Sequence, residues 1–457
     1  MQLRIENIGP IGSAIIDLTG LTVIGGLNDT GKSTIGKSLF SIVKAVRNRE
    51  LEYASARQLR VNTLISSFTS TLRRIAGTNI SPSFSSFIRR VIDVDTLDFD
   101  ANRSRIESIL AEVRQRVIDS LAQRENPNSR ITRREEQEED TDLREFIIDE
   151  FIGDLRDVFM EKRDEQSKYS TSFENVIKNA FRGEINNKRA ENEKGVISLY
   201  HNDTAILDCV FKNNSIDHMH VEESMLPELF EDATLLESPF VLNLRPSLNF
   251  FRGSYENPFN IEYTTSDLLQ KLAFATSSAA PQSDDTNNTL EVNISNVIGK
   301  TIEGRIYFDQ KRDDFLFLND DKVEVRIANT ASGVKTLGII QMLATAGILN
   351  GTNLFIIDEP EVHLHPAWQI VCAEVIATLV AKYNVYCVVS SHSPYFLQAI
   401  EAYVSTYKMK HLTKFYLSEK AKGVCTFQDV THNTEPLYSL LAEPMKRIMY
   451  LRANDES

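Results

Sequence analysis

The sequence predicts an α/β fold: a mixed sheet carrying a nucleotide-type loop, built from both ends of the chain, with a mainly helical insertion between them. Three observations carry this expectation. Near the start, the continuous apolar run "LTVIGG" leads through "LNDTGKST" into a segment of helical periodicity. From about residue 330, helices and strands alternate: "VKTLGIIQMLATAGIL", "NLFIID", "PAWQIVCAEVIATLVAKY", "VYCVVSSH". Between these ends, residues 51–190 hold repeated helical patterns and little β signal.

In residues 1–50, "LRIENI" and "SAIIDL" read as short strands separated by Gly9-Pro10. After the loop, Ile35, Leu39, Ile42, Val43 and Val46 fall near the 3.6-residue spacing of a helix face. In residues 51–190, Ile106, Leu110, Val113, Val117 and Leu121 line one helix face, and Leu143, Ile147, Phe151, Leu155 and Val158 another. The polar "QRENPNSRITRREEQEEDT" between them predicts a helical hairpin with a flexible tip, its arms about two to three heptads long, too short for an extended coiled coil. In residues 191–300, "GVISLYHNDTAILDCVFKN" reads as a β-hairpin, "ATLLESPFVLNL" as a further strand and "TSSAAPQSDDTNNT" as a loop. Residues 301–400 open with the β-rich "GRIYFDQKRDDFLFLNDDKVEVRIAN" and continue with the helix–strand alternation. Residues 401–457 add "TKFYLSE", "GVCTFQDV" and a helix from about Pro436 to Arg452.

With 457 residues, 42% of them hydrophobic, the chain can bury a large core and form roughly two or three structural units. Its net charge of −14 means that nucleic-acid binding would need a local basic surface. Arg57, Arg60, Arg73, Arg74, Arg89 and Arg90 supply a candidate, although arginines on solvated helix faces are the commoner meaning of such a run. Cys209, Cys372, Cys387 and Cys425 are scattered, which argues against a zinc site or a disulfide framework. There is no signal-peptide pattern and no run of about 18 apolar residues, so a soluble cytoplasmic protein without membrane association is expected.

Gly26, four residues, Gly31, Lys32 and Ser33 form a P-loop pattern between strand and helix, the context that the motif requires. Gly26, Asn28, Asp29, Thr30, Gly31, Lys32, Ser33 and Thr34 are therefore the candidate ATP-binding residues. The glycines let backbone N–H groups close around a phosphate, the helix N-terminus adds partial positive charge, Lys32 reaches the β- and γ-phosphates, and Ser33 can ligate Mg²⁺. "NLFIIDEP" places Asp358 and Glu359 at the end of an apolar strand, where Asp358 can hold Mg²⁺ and Glu359 can polarise water. "VVSSHSP" puts His392 at another strand end, placed to meet the γ-phosphate or the attacking water. Ser332-Gly333 starts a helix, most often a cap but here a second potential anion site, which suggests completion by another subunit.

These four motifs in this order, with Asn28 inside the loop, resemble the ABC-type ATPases of the SMC, RecF and OLD group. The resemblance covers residues 1 to about 50 and 300 to about 400. It implies an ABC-type head in which Ser332-Gly333 is the signature motif, acting on the partner subunit's ATP, and His392 is the switch histidine. It implies a homodimer or higher homo-oligomer closed around ATP. His365, where transporter and SMC ATPases usually carry Asp, points to the OLD-type branch. "ASGVK" departs from the transporter signature, and Gln58 is the candidate for the Q-loop glutamine. The architecture is most like the stand-alone ATPase subunits of anti-phage systems such as PARIS and Septu. That implies a sensor controlling a separate nuclease or toxin. The alternatives are a RecF- or SMC-like DNA-repair ATPase, and more remotely a transporter ATPase subunit.

Overall fold

The apolar runs at the two ends of the chain meet in one sheet. The computed structural model describes residues 1–76, 99–122, 134–160, 164–190, 193–244, 262–278, 290–443 and 448. Its strands are β1 (Gln2–Ile8), β2 (Ile11–Asp17), β3 (Leu21–Gly26), β4 (Gly195–His201), β5 (Thr204–Lys212), β6 (Ser215–Val221), β7 (Asp232–Leu236), β8 (Gly304–Asp309), β9 (Asp314–Asn319), β10 (Glu324–Arg326), β11 (Asn353–Asp358), β12 (Tyr386–Ser391), β13 (Thr413–Ala421) and β14 (Val424–Asp429). Among the described residues, eleven of them form one sheet in the order β6-β5-β4-β1-β2-β14-β13-β3-β12-β11-β7, and β8, β9 and β10 form a second.

The large sheet is mixed. β13, β3, β12, β11 and β7 run parallel. On the other side, β2, β1, β4, β5 and β6 are mutually antiparallel, and β14 pairs antiparallel to β13 and parallel to β2. The parallel strands are apolar because both their faces are covered: all of β3 and most of β11 and β12 are buried. β6, "SIDHMHV", extends the expected hairpin by one strand; it is polar and mostly exposed at the sheet edge, so no hydrophobic alternation marks it. This mixed α/β architecture, with an antiparallel part and helical insertions, is consistent with an ABC-ATPase-type head.

The helices are α1 (Lys32–Arg47), α2 (Arg49–Ala76), α3 (Phe99–Ala122), α4 (Arg134–Met160), α5 (Glu165–Ala180), α6 (Tyr263–Ser278), α7 (Leu290–Ile302), α8 (Ser332–Thr345), α9 (Pro366–Tyr383) and α10 (Pro394–Thr406). The chain divides into two compact units, one of Met1–Asn48 with Phe173–Ser457 and one of Arg49–Ser172. Thr276–Ser278, expected in a loop, end α6, while the rest of that expected loop lies outside the described residues. The expected last helix is helical over residues 435–443, and most of its remainder lies outside them.

In the second unit, the two helices expected as a hairpin, α3 and α4, are joined by α2. Val61, Ile65 and Phe68 of α2 share one core with Ile106, Leu110, Val113 and Val117 of α3 and Phe151, Leu155 and Val158 of α4. Phe68 and Phe151 stack with ring centroids 4.0 Å apart. This packing corrects the reading of Arg57 as part of a nucleic-acid surface. Arg57 lies four residues before Val61 on the same helical stripe and is 2% exposed. Its Nη2 donates to the Val158 carbonyl (3.0 Å), and its guanidinium lies 5.7 Å from the Tyr53 ring. Arg60 and Arg74 are exposed, while the Arg73 side chain, Arg89 and Arg90 lie outside the described residues, as do the side chains of the acidic run Glu135–Asp140.

In the first unit, a buried charge quartet ties α1, β7 and α6 together. Lys44 Nζ lies 2.5 Å from Asp232 and 2.6 Å from Asp267; Lys271 Nζ lies 2.7 Å and 2.9 Å from the same two carboxylates. Burial alone would push the Asp232 carboxyl up, but Lys271 and Lys44 outweigh it and hold it low. Asp267→Ala leaves two buried ammonium groups on one carboxylate. The expected cost is about 3 kcal/mol, read as a lower urea midpoint.

Candidate functional site

Because β13, β3, β12, β11 and β7 are parallel, their C-terminal ends open on one sheet edge, where the site is built. β3 ends in Gly25-Gly26 and must turn into α1 within a few residues. Gly31 makes that turn at φ 82°, in the left-handed region, and a Cβ there would lie 2.8 Å from Ile11 Cγ1. At Gly26 a Cβ would collide with the backbone and hydroxyl of Ser418. Ser418, on β13, braces the loop. Its Oγ lies 2.7 Å from Thr30 Oγ1, at hydrogen-bond distance, and 3.2 Å from the Gly25 carbonyl. Thr30 also bonds the Leu27 carbonyl (2.8 Å).

Lys32 is 5% exposed. Its Nζ donates to the carbonyls of Leu27 (2.7 Å) and Gly26 (3.2 Å) and lies 3.8 Å from Glu359 Oε1. Burial pulls its pKa down, and Glu359 and Asp358 oppose that. Ser33, Asn28 and Asp29 are exposed, whereas Thr30 and Thr34 are buried. Asp29 adopts φ 60° and pairs with Lys420 of β13, whose hydrogen bond and charge hold its carboxyl low.

β12 lies between the loop strand and β11, so Asp358-Glu359 reaches the loop across one intervening strand end. Asp358 Oδ1 accepts from Ser390 Oγ. Glu359 takes φ 49°, a strained region for a non-glycine residue, and its N–H donates to the Ser390 carbonyl (3.0 Å). Glu359 Oε1 stands 3.4 Å from His392 Nδ1. The interaction with His392 holds the Glu359 carboxyl below its ordinary range, and Glu359 in turn raises the imidazole. Lys32, Glu359 and His392 thus form one connected cluster, with Asp358 beside it.

Two further acids belong here that the motif reading did not single out. Glu361 is buried behind His392; a second carboxylate in the same short turn was its sequence signal. Glu237 follows β7 and lines one cavity with Lys32, Ser33 and Asp358. It pairs with Lys37 (3.1 Å) and accepts from Thr264 Oγ1 (2.9 Å). Gln58 lies in α2, in the second unit.

Ser332 and Gly333 form the first turn of α8 and are not among the residues lining the cavity with Lys32, Ser33 and Asp358. Gly333 permits close packing: a Cβ there would stand 2.9 Å from Trp368 Cε3 and 3.2 Å from Leu364. Gly333→Ala is expected to cost about 1–3 kcal/mol through this overpacking, measurable as a lowered unfolding midpoint. Trp368 packs against the core, and His365 caps α9, its Nδ1 accepting from the Ala367 N–H (3.3 Å). Lys335 is buried, donates to Asn243 Oδ1 (2.8 Å) and has its pKa lowered by that burial.

The residues fit a phosphate and a hard cation. A loop closed to a Cβ at Gly26 and Gly31, a buried ammonium resting on carbonyls and an exposed hydroxyl on the first helical turn suit the phosphates. Ser33 and Asp358 line the same cavity with oxygen donors. Among the described residues no cluster of three or more His, Cys, Asp or Glu side chains forms a metal cage. Mg²⁺ suits such a place, since it takes few protein ligands beside phosphate and water.

The AAA ATPase domain family model matches residues 243–397, about a third of the chain. The match spans Ser332, Gly333, Asp358, Glu359 and His392 and supports nucleotide binding and hydrolysis in general. No curated protein matches. The fold is similar to the SMC head domain of Thermotoga maritima, at TM-score 0.37 and 8% identity, covering 94% of this chain and 98% of that one. It is also similar to an Smc head bound to the C-terminal winged-helix domain of ScpA (TM-score 0.39, 11% identity, 94% and 96% covered). A third similar structure is an Smc head with coiled coil and joint from Pyrococcus yayanosii (TM-score 0.36, 12% identity, 97% and 99% covered). No described helix is long and apolar enough to cross a membrane.

Proposed function

We propose that this chain is a Mg²⁺-dependent ATPase whose ABC-type head closes on a second copy around ATP. The observation that carries this reading is the cluster of Lys32, Glu359 and His392 at the sheet edge, with Ser33 and Asp358 lining the adjoining cavity. Lys32 exchanges its two carbonyl partners for the β- and γ-phosphates. Ser33 and Asp358 hold Mg²⁺, which neutralises phosphate charge when bound. Glu359, kept ionised beside His392, accepts the proton of the attacking water, and His392 meets the γ-phosphate. Ser332 and Gly333, outside this cavity, serve the partner's nucleotide. The cellular role that we favour is a defence-system sensor that holds or releases a separate nuclease or toxin. It is supported by the variant signature and the OLD-type "EPEVHLHP".

Phosphate release from the purified chain tests the chemistry. Turnover with Mg²⁺-ATP should be lost on chelation and restored by Mg²⁺. Absence of nucleotide binding, or metal-independent turnover, would overturn it.

A further inference from the structure

Two carboxylates face His392 Nδ1, and they differ. Glu359 Oε1 lies at 3.4 Å on a side chain 31% exposed; Glu361 Oε1 lies at 3.2 Å on a side chain 3% exposed. Glu361 Oε1 also accepts from Ser391 Oγ (2.7 Å), His392 N (2.7 Å) and Ser393 N (3.1 Å). One buried oxygen therefore gathers donors from three consecutive residues, the arrangement that holds an anion firmly. The turn is anchored on its other side, where Ser393 Oγ donates to Gln369 Oε1 of α9 (2.7 Å). Glu361 Oε2 is buried without a hydrogen-bond partner among the described residues, a cost that calls for a return elsewhere. Burial outweighs the bonds from Ser391 and the His392 backbone and holds the Glu361 carboxyl above its ordinary range.

We propose that Glu361 is a positioning residue: it holds the Ser391–Ser393 turn and so sets the His392 ring against Glu359, the pair that serves the attacking water. The catalytic half of this proposal rests on the ATPase reading above; the positioning half does not. Nδ1 lies within 3.4 Å of both carboxylates without an aligned hydrogen bond to either, and the charge of the buried, turn-held Glu361 favours a proton on Nδ1, so that Nε2 remains for a ligand. The charged groups facing the ring are Glu359, Glu361 and Lys32.

The test uses the full chain. Ring ¹⁵N spectra without nucleotide, assigned by loss of signal in His392→Asn, report the tautomer and need no enzymatic activity. Wild type and Glu359→Gln should both show Nδ1–H. Glu361→Ala should show mixed tautomers, and Glu361→Gln, which retains an acceptor oxygen, should fall between. In turnover, Glu361→Ala should lower kcat about tenfold or more and leave KM within about twofold. Ser391→Ala removes one of the three donors and should move both readings the same way by less; it carries the test if Glu361→Ala does not fold. A wild-type tautomer retained in Glu361→Ala, or lost in Glu359→Gln, overturns the proposal. If the wild type hydrolyses no ATP, the spectra still decide the positioning claim, and the ATPase reading falls separately.

Discussion

Lys32→Ala is expected to weaken nucleotide binding at least about a hundredfold, since charge-assisted bonds to phosphate contribute about 3 kcal/mol. The ammonium is buried and held at the loop mouth by the Leu27 and Gly26 carbonyls, with Glu359 3.8 Å away. No other cation is similarly placed among the residues lining that cavity. The substitution exposes two carbonyls but leaves the Ser418–Thr30 brace intact, so the loop should keep its path. Binding of a fluorescent ATP analogue, with circular dichroism to check the fold, measures the effect. Wild-type affinity in the variant would mean that the phosphate sits elsewhere.

Glu359→Gln is expected to bind ATP within a few-fold of wild type and to lose at least about a hundredfold in kcat. The amide keeps the shape of the side chain but cannot accept the water's proton, and removal of a general base costs about 10²–10⁴. Slowed hydrolysis should trap the closed dimer, visible by light scattering as a doubled mass only with Mg²⁺-ATP. A near wild-type rate would remove Glu359 from the catalytic role. The trapped form also separates the cellular readings. A stoichiometric nuclease or toxic protein captured from the native host supports the sensor role, whereas DNA without a protein partner favours a repair clamp.

Much of the candidate site is legible because a tight turn from strand to helix makes local demands. Gly31 needs a left-handed turn, and Lys32 and Ser33 must follow it directly on a helix. Asp358, Glu359 and His392 stand where buried strands end, and continuous apolar runs mark those ends. Glu361 was less legible: its neighbours in sequence are polar and apolar in no telling pattern, and its importance comes from the donors gathered around it. The burial of Arg57 is hidden in the sequence for a related reason. A basic count reports charge, but the helical stripe shared with Val61 and Ile65 decides burial.

By itself the sequence determined the α/β class, the glycine-bounded turn from strand to helix and the places of the acids and histidine at the strand ends. All of these follow from backbone geometry and periodicity over a few neighbouring residues. The tertiary structure decided which strands stand side by side, that Ser418 braces a loop 388 residues before it through Thr30, that α2 completes the helical unit, and which of two carboxylates is buried against His392. Such pairings depend on sheet order and packing between distant segments, and no local pattern carries that information.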